Sequence, residues 1–433
     1  MREELAAEVG GIVISEASER PVPLFLAPMA GVTDLAFRLL ARECGADVTV
    51  TEFTAAAGLS RADTKSWTKV STDSRENPFI PQIFGGEIGD MVDTVRLLSP
   101  DADVIDLNFG CPAPKVCRTS AGAALLGEPD RLVEIVARCI EAASCPVSVK
   151  LRLGTGRGVA TAQAIVGRLE GLGVLRVAVH GRTLSQRYSG VADWQSIARI
   201  VESVAIPVIA NGDITDSTSA AACLKTTNAR GLMIGRGAIG SPEIFFEIKS
   251  GLGWSEAEAP WAKELDDWQQ NRNGQGRDEA EVKTAYGTVE QAEVRSGVVT
   301  DKRTFNGNGA GYGAGNGDHI GIGTADRAGE NAERKFATSR DSDERVEQSR
   351  KKIIEQAIIK RWGWRRYLEI AAETDSDAPN KNLKKHAISF TKGLPGSREM
   401  RIKLHSIYDE ETLATVVDSY LCKVIENDEI SAP

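Results

Sequence analysis

Asp103-Val104-Ile105-Asp106-Leu107-Asn108-Phe109-Gly110-Cys111-Pro112 reads as a buried strand that stops in reactive groups. The run to Leu107 is apolar and of strand length. Pro112 stops it and Gly110 lets the backbone turn, so the Cys111 sulfur is aimed away from the sheet rather than packed under it. A small buried hydrophobe is the ordinary role of a cysteine. A thiol and an amide on the loop leaving a strand's carboxyl end point instead to chemistry. Seven further runs share this apolar, β-branched character: Pro23–Pro28, Asp47–Glu52, Phe79–Phe84, Pro146–Leu151, Leu175–His180, Ile206–Ala210 and Gly231–Ile234. Helix-period stretches lie between most of them, at Ala36–Glu43, Met91–Leu98, Asp130–Ala142, Ala160–Leu172, Trp194–Ser203 and Ser217–Leu224. Strands alternating with helices, and apolar on both faces, indicate a parallel sheet with helical crossovers. Eight units in about 230 to 250 residues predict an α/β fold, a closed (β/α)8 TIM barrel, with an open doubly wound sheet as the alternative.

A barrel of this kind collects its chemistry at the carboxyl ends of its strands. The polar residues follow that rule. Strand one ends in Pro28-Met29-Ala30-Gly31, strand two in Thr51-Glu52, and strand three supplies Gln82. Strand four ends at Asn108 and Cys111, strand five at Lys150-Leu151-Arg152, and strand six at His180-Gly181-Arg182. The last two end in Asn211-Gly212-Asp213 and Gly235-Arg236-Gly237. Loops after strands seven and eight commonly hold phosphate in this fold, through glycine amides and a helix amino end. Arg236 adds a charged fork, so a phosphorylated cofactor is expected there.

Composition narrows the class. The chain has 433 residues, 42% hydrophobic and 26% charged, an ordinary globular balance. No apolar run approaches the ~18 to 20 residues of a membrane helix. Met1-Arg2-Glu3-Glu4 lacks the apolar core of a signal peptide, and the reading is a cytoplasmic protein with no membrane association. Seven scattered cysteines without a C-x-x-C pair argue against a disulfide framework or a zinc site, so no metal is expected. The net charge of -9 argues against bulk nucleic-acid binding but leaves room for a local basic face.

The motifs, taken in order, resemble the tRNA-dihydrouridine synthases. Ala27-Pro28-Met29-Ala30-Gly31-Val32-Thr33-Asp34 looks like that family's opening flavin motif, and Asp106 to Pro112 like its catalytic loop, followed by Lys115 and Ala121–Leu126. His180-Gly181-Arg182-Thr183 with Gln186, Tyr188 and Gly190 resembles its substrate-side loop. The resemblance spans Val22 to about Ile248 and resumes in Leu383–Ile407. It implies FMN, NADPH as reductant, and reduction of the uridine C5–C6 double bond in tRNA. By position it implies Pro28, Met29 and Ala30 along the flavin ring, with Gln82, Lys150 and His180 also touching the flavin. Asn211, Gly212, Asp213, Gly235 and Arg236 would hold the phosphate. Cys111 would be the general acid, Asn108 would orient the uracil, and Lys115 and Arg182 would touch substrate.

Beyond the barrel (1–254) the pattern breaks. Trp254, Trp261, Leu265 and Trp268 suit one short amphipathic helix, but the Gly/Asn-rich and charged stretch of 255–350 reads as a disordered linker. Helical spacing returns over 351–425, a small all-α domain. Lys351–His405 carries thirteen Lys and Arg against six Asp and Glu, a local +7 suited to a phosphate backbone. Lys384, Lys385 and Arg398 are its expected tRNA contacts. The chain thus reads as a monomeric flavin-dependent tRNA-uridine reductase. Two alternatives remain: an FMN barrel acting on a free pyrimidine, as dihydroorotate dehydrogenases do, and a non-catalytic tRNA-binding protein on the same scaffold.

Overall fold

Side chains alternate across a strand, and here that alternation sorts apolar residues into two layers. Leu24 and Leu26, Val177 and Val179, and Leu232 and Ile234 join the layer between strands and helices. Their neighbours Phe25, Ala178 and Met233 join a separate cluster inside the ring, with Val48, Ile80, Val104 and Ile209. The computed structural model describes residues 8–9, 12–13, 21–156, 162–272, 328–374 and 382–426.

The ring strands are β1 Leu24–Leu26, β2 Val48–Thr49, β3 Gln82–Phe84, β4 Ile105–Phe109, β5 Val147–Arg152, β6 Val177–His180, β7 Val208–Asn211 and β8 Gly231–Ile234. Each pairs in parallel with its neighbour from β3 through to β8, and β8 pairs with β1 and β1 with β2. The stretch after β2 closes the circle: Thr54–Ala55 pairs with β3, and the Thr51 amide donates to the Ile80 carbonyl at 3.1 Å. This is the (β/α)8 barrel that the repeat predicts. β2 is shorter than the expected Asp47–Glu52 because the chain turns there, with the Glu52 carboxylate accepting from the Gly31 amide at 2.6 Å.

Helices α1 Leu35–Glu43, α2 Ile88–Leu98, α3 Pro129–Ala142, α4 Ala162–Gly171, α5 Trp194–Ser203, α6 Ser217–Thr227 and α7 Ile244–Gly251 lie outside the strands. Several starts are fixed by aspartates: Asp34 caps α1, Asp193 caps α5, and Asp216 forms a capping box on α6. No described helix is long and apolar enough to cross a membrane.

The described residues group into two compact units, one holding the barrel and the chain from Lys351 onward, the other within Asp266–Arg350. Much of the expected linker, 273–327, lies outside the described residues. Its flanks depart from the expectation of disorder. Trp261 is buried against Phe246 and Trp362, and helix α8 follows at Ala262–Arg272. Helix α9, Ala328–Glu373, runs straight across the boundary set at 350. An oppositely charged pair three residues apart, Arg350 with Glu347, supports a solvated helix where composition alone suggested a linker.

Helices α10 Leu383–Phe390, α11 Ser397–His405 and α12 Glu410–Glu426 complete the all-α C-terminal part. Its core is aromatic, with Trp364 stacked on Tyr367 and both rings near Phe390. Buried His386 meets the α1 cap Asp34 at 3.0 Å, and the buried Lys360 ammonium donates to the Gly240 carbonyl at 2.7 Å. Gly240 admits α10 closely: a Cβ there would come within 2.3 Å of the Ser389 carbonyl oxygen. Barrel and C-terminal helices therefore form one packed body.

Candidate active site at the carboxyl end of the barrel

Strand register lines up the mouth. Asn108 pairs with Lys150, and Arg152 pairs with His180, His180 with Asn211 and Asn211 with Met233. With period two, residues at the same register point to the same face, here into the ring. They open on a cavity of about 850 Å³ that Cys111, Lys150, Arg152, His180, Tyr188 and Arg236 help to line.

Cys111 is 6% exposed, and its loop is held from below. The Asn108 side-chain oxygen accepts from the amides of Gly110 at 3.0 Å and Cys111 at 2.9 Å. The Asn108 amide in turn donates to Gln82 Oε1 at 2.6 Å, and Gln82 donates to Asp106 at 2.5 Å. Burial pushes the Cys111 thiol up, against opposing pulls from a backbone hydrogen bond at Ala113 and from Arg152 and Lys150. A thiol in that state is protonated at neutral pH and able to donate.

Positive charge converges on the cavity. The Lys150 ammonium donates to Asn211 Oδ1 at 3.0 Å, and Asn211 donates to the Met233 carbonyl at 2.7 Å. Burial, then the nearby Arg152 charge, brings the Lys150 pKa down to about 8. Burial and four surrounding cations, Lys150, Arg152, Arg182 and Arg236, bring that of His180 down to about 2, so its imidazole is neutral. Asp213 lies near these cations, and it is occupied. It takes both Arg182 nitrogens at 2.8 and 2.7 Å and Arg236 at 3.0 Å. Burial alone would raise its pKa; the Arg182 hydrogen bonds and the Ala192 amide outweigh this and hold it low. Gly212, at φ +124, has no room for a side chain, since a Cβ would meet Ala192 at 2.8 Å.

The expected site residues sort by this geometry. Pro28, Met29, Ala30, Asn108, Cys111, Lys150, His180, Asn211, Gly212, Asp213, Gly235, Arg236 and Lys385 all line the cavity. Gln82 does not: it is fully buried one layer down, with its amide spent on Asn108 and Asp106. Arg182 is buried too, holding Asp213 and the Gly190 carbonyl. Lys115 and Arg398 are exposed outside the cavity. Lys384 donates to the His405 carbonyl at 3.1 Å and sits 4.4 Å from the centre of the Tyr408 ring. Lys385 reaches back to the Ala30 carbonyl at 2.7 Å and so belongs to the cavity wall. Arg152, Phe53 and Met233 also line it and were not assigned from sequence. Arg152 had a signal, since it stands two residues after Lys150 on the same strand face.

A family model described as dihydrouridine synthase matches residues 25–284, from β1 to beyond β8. The chain belongs to the dihydrouridine synthase family. A probable tRNA-dihydrouridine synthase of Rhodobacter capsulatus is 37% identical over 57% of this chain and 77% of its own length. tRNA-dihydrouridine synthase B of Pseudomonas syringae is 40% identical over 52% and 67%. The Escherichia coli protein of that name is 39% identical over 55% and 74%. All three matches span about half of this chain.

Proposed function

We propose that this protein reduces the C5–C6 double bond of uridine in tRNA to 5,6-dihydrouridine, with FMN in the barrel mouth, NADPH as reductant and Cys111 as proton donor. The observation that carries the reading is the meeting of a buried thiol with Lys150, Arg152 and Arg236 in one cavity.

The residues fit such a cofactor. Pro28, Met29, Ala30 and Met233 offer an apolar face, Lys150 and His180 polar contacts, and the glycine-bearing loops at Gly212 and Gly235 with Arg236 an anion cradle. FMN bound there would supply the hydride for uracil C6. Negative charge then builds on the C5–C4–O4 side of the pyrimidine. Cys111 quenches it by giving its proton to C5. Neutral His180 leaves the positive charge to Lys150 and the arginines. In this reading residues 1–254 do the chemistry and the helices of 351–425 grip the tRNA backbone.

The purified protein should show flavin absorption. Replacing Arg236 with Ala should weaken FMN retention by about tenfold or more, because a charge-assisted hydrogen bond contributes about 1.5 kcal/mol or more. The change would also leave Asp213 without that counter-charge. A colourless protein that takes up no flavin on reconstitution would sink the cofactor assignment.

For the C-terminal grip, Lys384→Glu with Arg398→Glu should weaken tRNA binding and flatten the plot of log affinity against log salt by about 0.7 to 0.9 per lost contact. Lys385 is left out of that variant because it holds Ala30. An unchanged slope would remove α10 and α11 from the tRNA surface.

A further inference from the structure

We propose that Arg152 is a positioning residue for the proton transfer: it ties the Cys111 loop to the 183–187 loop and keeps a positive charge beside the thiol. The inference rests on the function proposed above and adds a residue to it.

Arg152 closes β5, and its guanidinium is buried at the cavity edge. Its Nε donates to the Gly110 carbonyl at 2.8 Å, one residue before the acid. Nη1 donates to the carbonyls of Arg187 at 2.7 Å and Thr183 at 3.1 Å. Two loops far apart in sequence are thus held by one planar fork. A lysine, with a single point of charge, cannot reproduce that geometry. Tyr188, on the second loop, lies with its ring 5.5 Å from this guanidinium and 5.2 Å from that of Arg236.

Among the described residues Arg152 makes no ion pair; backbone carbonyls and the Tyr188 side chain meet its hydrogen bonds. A buried arginine without a carboxylate is costly to keep for packing alone. Its charge has a use at the thiol. When Sγ–H breaks and C5–H forms, the bonding electrons remain on sulfur as a thiolate until solvent returns a proton. Arg152 lies where it favours that thiolate, and it pulls the Cys111 pKa down against burial.

The test uses the full FMN-loaded chain with Arg152→Met and Arg152→Lys. Bound flavin is reduced anaerobically with NADPH, then mixed with an unmodified tRNA transcript, and flavin reoxidation is followed across pH. Both variants should retain FMN and reoxidise roughly ten- to a hundredfold more slowly at saturating tRNA, the scale of a misplaced reacting group, with KM little changed. Arg152→Met should also shift the alkaline limb of the rate to higher pH, because the thiol and the Lys150 ammonium both lose a neighbouring cation. Arg152→Lys should keep the limb in place.

A wild-type rate in Arg152→Met overturns the proposal, and so does a slowed Arg152→Met whose limb does not move. If the methionine variant is insoluble, Arg152→Lys decides alone: slowed reoxidation with an unmoved limb supports the proposal, and a wild-type rate overturns it. Failure of the unsubstituted protein to be reoxidised by tRNA would instead overturn the functional reading beneath both.

Discussion

Alanine at position 111 should leave a protein that binds FMN and accepts reducing equivalents from NADPH, yet makes dihydrouridine about 100- to 10,000-fold more slowly. That range is what a positioned general acid contributes. The loop itself should survive, because it is held by main-chain contacts to Asn108 and by the Cys111 carbonyl, which accepts from the Ala123 amide at 3.1 Å. Only the proton source is lost. The pH dependence follows from the direction of the thiol's shift. Burial raises it, so the acid form is present throughout the neutral range and disappears only above the ordinary thiol range. Flavin reoxidation by tRNA should be flat through neutrality and fall at high pH, where loss of the Lys150 charge near pH 8 adds to loss of the thiol proton; Cys111→Ala should lose the thiol's share of that fall along with its rate. Single-turnover reoxidation measures both. Wild-type turnover by Cys111→Ala would make the thiol structural and place the proton elsewhere.

The barrel was legible because its signal is local. Each strand is a short apolar run, and each mouth residue stands where its run ends, so Asn108, Cys111, Lys150, His180 and Asn211 could be placed without coordinates. Depth was not legible. Gln82 and Asn108 are both strand-end amides in sequence, yet register drops Gln82 a layer lower, where its amide serves Asn108 and Asp106. Arg182 and Arg236 are both expected from sequence to meet a ligand, the first the substrate and the second the phosphate. One is buried on Asp213, and the other is half exposed at the rim. Long-range packing was not legible either. Gly31 looked like part of a flavin motif, but a Cβ there would lie 3.1 Å from Asn382 Oδ1 and 3.2 Å from Lys385 Nζ. The local turn, with φ +67, already favours glycine, and residues some 350 positions away in the chain add a second constraint that no window of sequence contains.

Removing one buried charge beneath the Met29–Ala30 loop should cost more stability than any change at the rim. Arg38 and Glu76 are essentially inaccessible, joined by bonds of 2.6 and 2.8 Å. Arg38 also donates to the Thr33 carbonyl at 2.9 Å, and the Thr33 amide donates to the Met29 carbonyl at 3.1 Å, so the pair underlies the loop that carries Met29 and Ala30. Arg38→Met should destabilise the protein by about 3 to 5 kcal/mol, since it leaves a buried carboxylate unpaired. Arg38→Met with Glu76→Leu should recover much of that loss, because two apolar groups strand no charge. The pH dependence separates this cause from simple loss of packing. In the intact protein burial would raise the Glu76 pKa, but the Arg38 charge and hydrogen bonds from Arg38, Thr49 and Thr72 hold it low. The pair's stabilisation is therefore present above the ordinary carboxylate range and lost as pH falls below it. Without Arg38 burial prevails, Glu76 prefers its proton, and the penalty eases as pH falls through the raised value. Urea midpoints near neutrality and at about pH 5 should show the gap between Arg38→Met and the unsubstituted protein narrowing in acid. A gap that stays constant, or one below about 1 kcal/mol at neutrality, would show that this ion pair is not what holds the loop in place.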